Sequence, residues 1–225
     1  LMIVPAVIFG IKEKKNKYYI LAVSLIFCFL VYSKSKTSLF SLILFIIYEF
    51  SLIRIYLKLK SENKFDKVSV FIILSLMPLV LARVLPFTKI HYKLGFLGIS
   101  YITFKVMQML IEIKDGLIKE VKFVDYLLFM IFFPTLASGP IDRSRRFLKD
   151  FETKFTKDEY LDNLGKGIEY ILQGLVYKLI LSQVIFDKME IIANKSYTIP
   201  NLLIYMYLYG FYLFFDFAGY SLMAV

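Results

Sequence analysis

Leu202-Leu203-Ile204-Tyr205-Met206-Tyr207-Leu208-Tyr209-Gly210-Phe211-Tyr212-Leu213-Phe214-Phe215-Asp216-Phe217-Ala218-Gly219-Tyr220-Ser221 is an apolar stretch holding a single charge. A helix crosses the hydrocarbon core of a bilayer in about 20 residues, and this stretch is long enough to do so. Similar blocks occupy Tyr18–Tyr32, Leu39–Tyr56, Val68–Phe87, Leu94–Ile113, Phe123–Ile141 and Ile168–Phe186, with a partial one at Leu1–Ile11. Val68–Phe87 contains Pro78, a predicted kink. The chain of 225 residues is 59% hydrophobic, with 23 Phe, 17 Tyr and no Trp. A soluble α-fold can bury one such block but not all of them. The fold class is therefore all-α, a multi-pass transmembrane helical bundle in the cell membrane, and no internal repeat is visible.

The net charge of +10 does not indicate a nucleic-acid partner. Lys and Arg fall in short runs between apolar blocks, with no basic face interleaved with aromatics. Such runs are what loops facing the cytoplasm and anionic lipid carry. Cys28 lies inside an apolar block, so neither a disulfide framework nor metal-ligand spacing is present, and no metal is expected. The one histidine, His91, sits in the polar run Thr88–Lys93 without a partner His or Cys, and reads as a solvated loop residue.

The basic runs set an orientation. Lys12–Lys17 and Arg54–Lys67 are richer in Lys and Arg than Ser33–Ser38 and Thr88–Lys93. The first pair belongs in the cytoplasm, with the N-terminus outside. Strict alternation then fails, because Asp142–Gly167, the most basic segment, would be forced outside. One of the blocks Leu94–Ile113 and Phe123–Ile141 therefore enters without crossing, which is tolerated where backbone is buried in protein or lines a cavity. Both ends are expected to be cut. Leu1–Ile11 is short of a span and is followed, not preceded, by charge, unlike a signal peptide. Ser221–Val225 stops within a helical pattern. Residues 1–225 are read as one incomplete transmembrane domain, with the polar segment 142–167 between its membrane blocks.

Polar groups at membrane depth face a bundle interior or a wet path. Tyr101, Lys105, Gln108, Glu112 and Asp115 fall within an arc of about 80° on one helix. They form either a seam glued by a Lys105–Glu112 network or the wall of a substrate path. On the last block Tyr205, Tyr209, Tyr212, Asp216 and Tyr220 share a face. The outer tyrosines fit an interfacial belt, but Asp216 must be paired, protonated or wet. Glu49, Arg54 and Arg83 read as snorkelling side chains. Lys166, Glu169, Gln173 and Tyr177 read as an interfacial face. Pro134-Thr135-Leu136-Ala137-Ser138-Gly139-Pro140-Ile141-Asp142-Arg143 ends a helix abruptly, with Ser138 and Asp142 able to bond the freed backbone. Arg143, Arg145 and Arg146 then cluster, suited to an acidic partner or to lipid phosphate.

Three motifs in order, Phe96-Leu97-Gly98-Ile99-Ser100-Tyr101-Ile102-Thr103-Phe104, Ser138–Arg143 and Leu213–Ser221, resemble the membrane-bound O-acyltransferase (MBOAT) superfamily, in its DltB-like, D-alanyl-transfer branch. The resemblance implies a ring of helices around a tunnel, lined by Lys105, Gln108, Glu112, Ser138, Asp142, Asp216 and Tyr220. It implies transfer of D-alanine across the membrane for lipoteichoic acid D-alanylation in cell-wall biogenesis. The donor is the D-alanyl thioester on the phosphopantetheine arm of an acidic carrier protein, for which Arg143, Arg145 and Arg146 are docking candidates. No tightly bound cofactor is implied. Other partners are further D-alanylation membrane proteins, a lipid-linked acceptor and membrane lipids, but not nucleic acid. The family's catalytic histidine follows the motif matched at Leu213–Ser221, and His91 precedes all three, so no catalytic residue is assigned and the chain is expected to be inactive alone. Alternatives are a polysaccharide O-acetyltransferase of the same superfamily, a secondary transporter, which an inverted repeat would distinguish, and a non-catalytic scaffold.

Overall fold

Hydrophobic blocks become helices throughout the described part of the chain. The computed structural model describes residues 3–12, 16–33, 35–62, 67–85, 95–137, 142–153, 155–194 and 198–224. His91, Ser138, Gly139, Pro140 and Ile141 lie outside the described residues. The chain divides into two compact units, residues 1–137 with 141–155, and residues 138–140 with 156–225.

The first unit holds α1 (Ile3–Ile11), α2 (Lys17–Tyr32), α3 (Lys36–Ser61), α4 (Val68–Val84), α5 (Ile99–Lys114), α6 (Phe123–Ile131), a 3-10 turn (Phe133–Thr135) and α7 (Ser144–Glu152). At its centre is α5, whose Ile102, Val106 and Leu110 are wholly buried among Phe45, Ile53, Tyr126 and Leu128. Both ends of α5 are fixed by glycines with positive φ. Gly98 precedes it at φ 83, and a Cβ there would come within 2.3 Å of the Leu136 carbonyl oxygen, so only glycine fits. Gly116, at φ 73, closes its C-terminus, and Lys60 from α3 donates to the Ile113 carbonyl at 2.7 Å and to that of Lys114. A cation there also suits the negative end of the helix dipole.

Of the two blocks between which the sequence left the alternation problem open, Phe123–Ile141 gives the shorter helix, α6. It spans nine residues, about 14 Å at 1.5 Å per residue, less than half a hydrocarbon core. Tyr126 and Leu128–Ile131 are all buried, so its second half is covered on every side, while Phe123 and Val124 of its first turn are exposed. The sequence block continued to Ile141, but the helix stops at Ile131, with Phe132 at φ −51, ψ 115. Pro134 is the cause: it lacks an N–H, and in a continued helix its ring would strike the carbonyl four residues back. The chain turns once through a 3-10 bond, Thr135 N to Phe132 O at 3.0 Å, and Ser24 of α2 accepts from the Phe133 N–H at 3.3 Å. Pro78 acts differently, since α4 continues through it. Proline cannot donate to the Leu74 carbonyl, and the Tyr48 hydroxyl of α3 donates to that oxygen instead, at 2.9 Å.

In the second unit α8 (Lys157–Leu175), a π-helical turn (Val176–Leu181) and α9 (Ser182–Ala193) form one helical run, with α10 (Ile199–Ala224) against it. A capping box starts α8: Thr156 N donates to Glu159 at 2.8 Å, while Glu159 N donates back to the Thr156 hydroxyl. The polar segment 142–167 therefore comprises α7 and the first turns of α8. α8 and α10 meet at Gly174 and Gly219, where a Cβ on either would lie 2.6 Å from the other's carbonyl oxygen. Among the described residues three helical runs, Lys36–Ser61, Lys157–Ala193 and Ile199–Ala224, are long and apolar enough to cross a membrane, and α2 and α4 are shorter apolar helices.

Candidate functional site: charged side chains at membrane depth

In the first unit the predicted stripe on α5 is turned inwards, but its charges do not pair with each other. Lys105 is 1% exposed. Its ammonium donates to the Phe129 carbonyl at 2.9 Å and to the Thr135 hydroxyl at 3.0 Å. The rings of Tyr101 and Phe129 lie 5.2 and 5.0 Å from it. The cation thus holds the last turn of α6 and the 3-10 turn together, at the break that Pro134 creates. Two turns on, Glu112 accepts from the Ser144 hydroxyl at 3.4 Å and from the Arg145 guanidinium at 3.5 Å. The Lys105–Glu112 network expected from spacing is replaced by two separate anchorages, because α6 and α7 offer each charge a nearer partner. Gln108 lies between them, its Oε1 buried with no protein partner, while Asp115 is exposed beyond the helix end.

Asp142 is occupied locally. It accepts from Arg143 N at 2.6 Å and from Arg146 Nε at 2.7 Å, which fixes the start of α7. The arginine cluster is therefore divided: Arg145 is tied to Glu112, Arg146 to Asp142, and Arg143 is exposed. A cavity of about 230 Å³ opens beside Arg145, with Ser144, Lys119, Lys122 and Asp125 in its lining. Asp125 also pairs with Lys17 at the first turn of α6, where a carboxylate suits the helix N-terminus.

Glu49 corrects the sequence reading. It does not snorkel: it is 0% exposed, on the buried face of α3, with Ser75 of α4 equally buried, and neither makes a well-formed hydrogen bond. The signal was present, since the buried residues of α3, Leu42, Phe45, Ile46, Glu49, Leu52, Ile53 and Tyr56, are one helical stripe with Glu49 at its centre. Arg54 and Arg83 are exposed, as snorkelling requires.

In the second unit Asp216 of α10 pairs with Lys178 of the π-helical turn. The two side chains are 40% and 34% exposed. Lys178 was missed from the sequence, although it is a lone cation within Ile168–Phe186. The Ser182 hydroxyl donates to the Lys178 carbonyl, across the end of the irregular turn. Tyr177 meets Phe215, and Phe186 meets Tyr212, on either side of the pair. Tyr220 lies one turn along α10, part-buried, and the Tyr205 and Tyr209 rings stack near its other end.

Apolar helices that bury Lys105, Glu112 and Glu49, and hold Lys178 against Asp216, define a multi-pass membrane protein built around intramembrane charge. The chain belongs to the membrane-bound O-acyltransferase family, whose profile matches residues 26–225. It is 40% identical over its whole length to a teichoic acid D-alanyltransferase of Bacillus subtilis (strain 168), of which it covers 60%. It is 37% identical over 95% of its length to one of Streptococcus thermophilus, of which it covers 54%. A probable alginate O-acetylase of Pseudomonas syringae pv. tomato is more distant, 27% identical over 62% of this chain and 27% of its own length. The chain thus spans little more than half the length of the D-alanyltransferases it matches.

Proposed function

We propose that the chain forms part of a D-alanyltransferase that esterifies lipoteichoic acid during cell-wall biogenesis. The supporting observation is that its likeness to teichoic acid D-alanyltransferases extends over the whole chain, whereas that to alginate O-acetylases covers 62% of it at 27% identity. Both units belong to one transmembrane domain, a reading supported by the family match running unbroken from residue 26 to 225.

The acyl donor is a D-alanyl thioester on the phosphopantetheine arm of an acidic carrier protein, and a hydroxyl of the acceptor displaces the thiol. Lys105, Gln108, Glu112, Ser138, Asp142, Asp216 and Tyr220 are assigned to the substrate path. Within it Lys105 sets the position of the Pro134 break, and Asp142 fixes the start of α7. Arg143, Arg145 and Arg146 meet the carrier, with the cavity beside Arg145 taking its anionic groups; attraction of this kind acts chiefly on association rate. Further D-alanylation membrane proteins and membrane lipids complete the partners.

The test is complementation. The full-length gene, expressed in a strain lacking its own D-alanyltransferase, should restore alkali-labile D-alanine esters on lipoteichoic acid. Asp216→Ala should abolish them, a loss larger than any fall in its membrane abundance accounts for. No restoration by the wild type, or acetyl esters in place of D-alanyl ones, would reject the assignment.

A further inference from the structure

Between α3 and α4 lies a second cavity, of about 410 Å³, within the size range of ligand pockets. Its floor is Phe45, Phe96 and Ile99, all buried, and its walls are Leu44 with Tyr48 from α3 and Met77 with Leu81 from α4, all exposed. Pro78 stands between Met77 and Leu81, presenting a short ring where a longer side chain would fill the space. The hydroxyl of Tyr48 is already engaged by the Leu74 carbonyl, so it asks nothing of an occupant. α3 is long and apolar enough to span a membrane and α4 is apolar, so the groove opens on hydrocarbon.

We propose that this groove binds one acyl chain of a membrane glycerolipid. A concave surface at membrane depth with almost no polar lining favours a flexible, apolar, unbranched occupant, and the surrounding medium supplies one. Burying apolar surface gains nothing over bulk lipid by hydrophobicity alone, so selectivity comes from close packing against the floor. The floor matters to the rest of the unit. Phe96 and Ile99 flank Leu97, whose carbonyl accepts from Tyr32 at 2.6 Å, and Gly98, which packs on Leu136. A bound chain therefore braces the start of α5, the helix that carries Lys105 and Glu112. With Arg54–Lys67 in the cytoplasm, Ser41–Tyr48 belongs to the outer half of α3, and the chain comes from the outer leaflet.

Native mass spectrometry of the full-length protein in mild detergent should detect one retained glycerolipid, its mass reporting the headgroup. Filling the groove by Leu44→Trp with Met77→Trp should lower its occupancy at least tenfold, while Ile73→Trp, on the lipid-facing surface off the groove, should not. A photoreactive benzophenone side chain at position 44 should cross-link lipid after detergent washing, and one at position 73 should lose that product. Equal retention in filled and unfilled proteins would overturn the site. So would cross-linking from position 44 to another segment of the protein, which would make the groove a helix-packing surface. Should the filled variant fail to fold, the comparison between positions 44 and 73 decides alone.

Discussion

Removing either member of the Lys178–Asp216 pair leaves an uncompensated charge on an apolar helix face. A lone lysine at the centre of a transmembrane helix costs about 3 kcal/mol on insertion scales. The pair here is 34% and 40% exposed, so only part of that cost applies, and about 2 kcal/mol is expected for Asp216→Leu, roughly a 30-fold change in the unfolding equilibrium. Lys178→Met should cost a similar amount by stranding the carboxylate. The double variant Lys178→Met, Asp216→Leu should recover most of the loss, because a well-packed apolar replacement of an ion pair is often near neutral. With two losses of about 2 kcal/mol and a double variant that loses only about 1 kcal/mol, the expected coupling energy is about 3 kcal/mol in the double-mutant cycle. Stability is read from denaturation of the full-length protein in detergent, and activity from D-alanine esters on the acceptor. If Asp216 also serves the substrate path, the double variant regains stability without activity. A coupling below about 0.5 kcal/mol, the usual error of additivity, would refute the pairing as a structural bond.

Gly98→Ala should destabilise by more than about 2 kcal/mol, since it adds a steric clash with Leu136 to the strain of positive φ. Gly116→Ala, with open space around it, should lose only about 1 kcal/mol in the same melts. Thr135→Val removes one acceptor of the buried Lys105 ammonium and should cost about 1–3 kcal/mol, against little change for exposed Thr37→Val. Charge reversal at Arg145 and Arg146 should slow association of full-length protein with the loaded acidic carrier at low salt, and the difference should shrink as salt screens it; unchanged binding would leave the cluster as a lipid anchor. In a Cys28→Ser background, Ser35→Cys should label from outside intact cells and Ser61→Cys should not, and the reverse would invert the topology.

Glu49 reads from the sequence as snorkelling because its place near the end of its block is weighed above its position within the apolar stripe of α3, and only the packing of α3 and α4 shows it buried. Lys105 shows the limit of reasoning from spacing. Its burial followed from the α5 periodicity, but its partners come from the end of α6 and the 3-10 turn, 24 and 30 residues on. Spacing along one helix suggested Glu112 and could not rank it against those.

By itself the sequence determined the membrane class and that its apolar blocks form helices. Hydrophobic length acts locally, and its consequences hold whatever packs nearby. It also determined the family resemblance, carried by motifs around Gly98, the Pro134–Arg143 turn and Asp216. Only the tertiary structure decided that α6 stops short of a span, that Lys105 and Glu112 part company, that Glu49 is sealed, and that Asp216 has Lys178 as its partner. A charge in a low-dielectric interior goes to whichever partner the folded backbone brings within reach, and that distance is set by elements far apart in the chain.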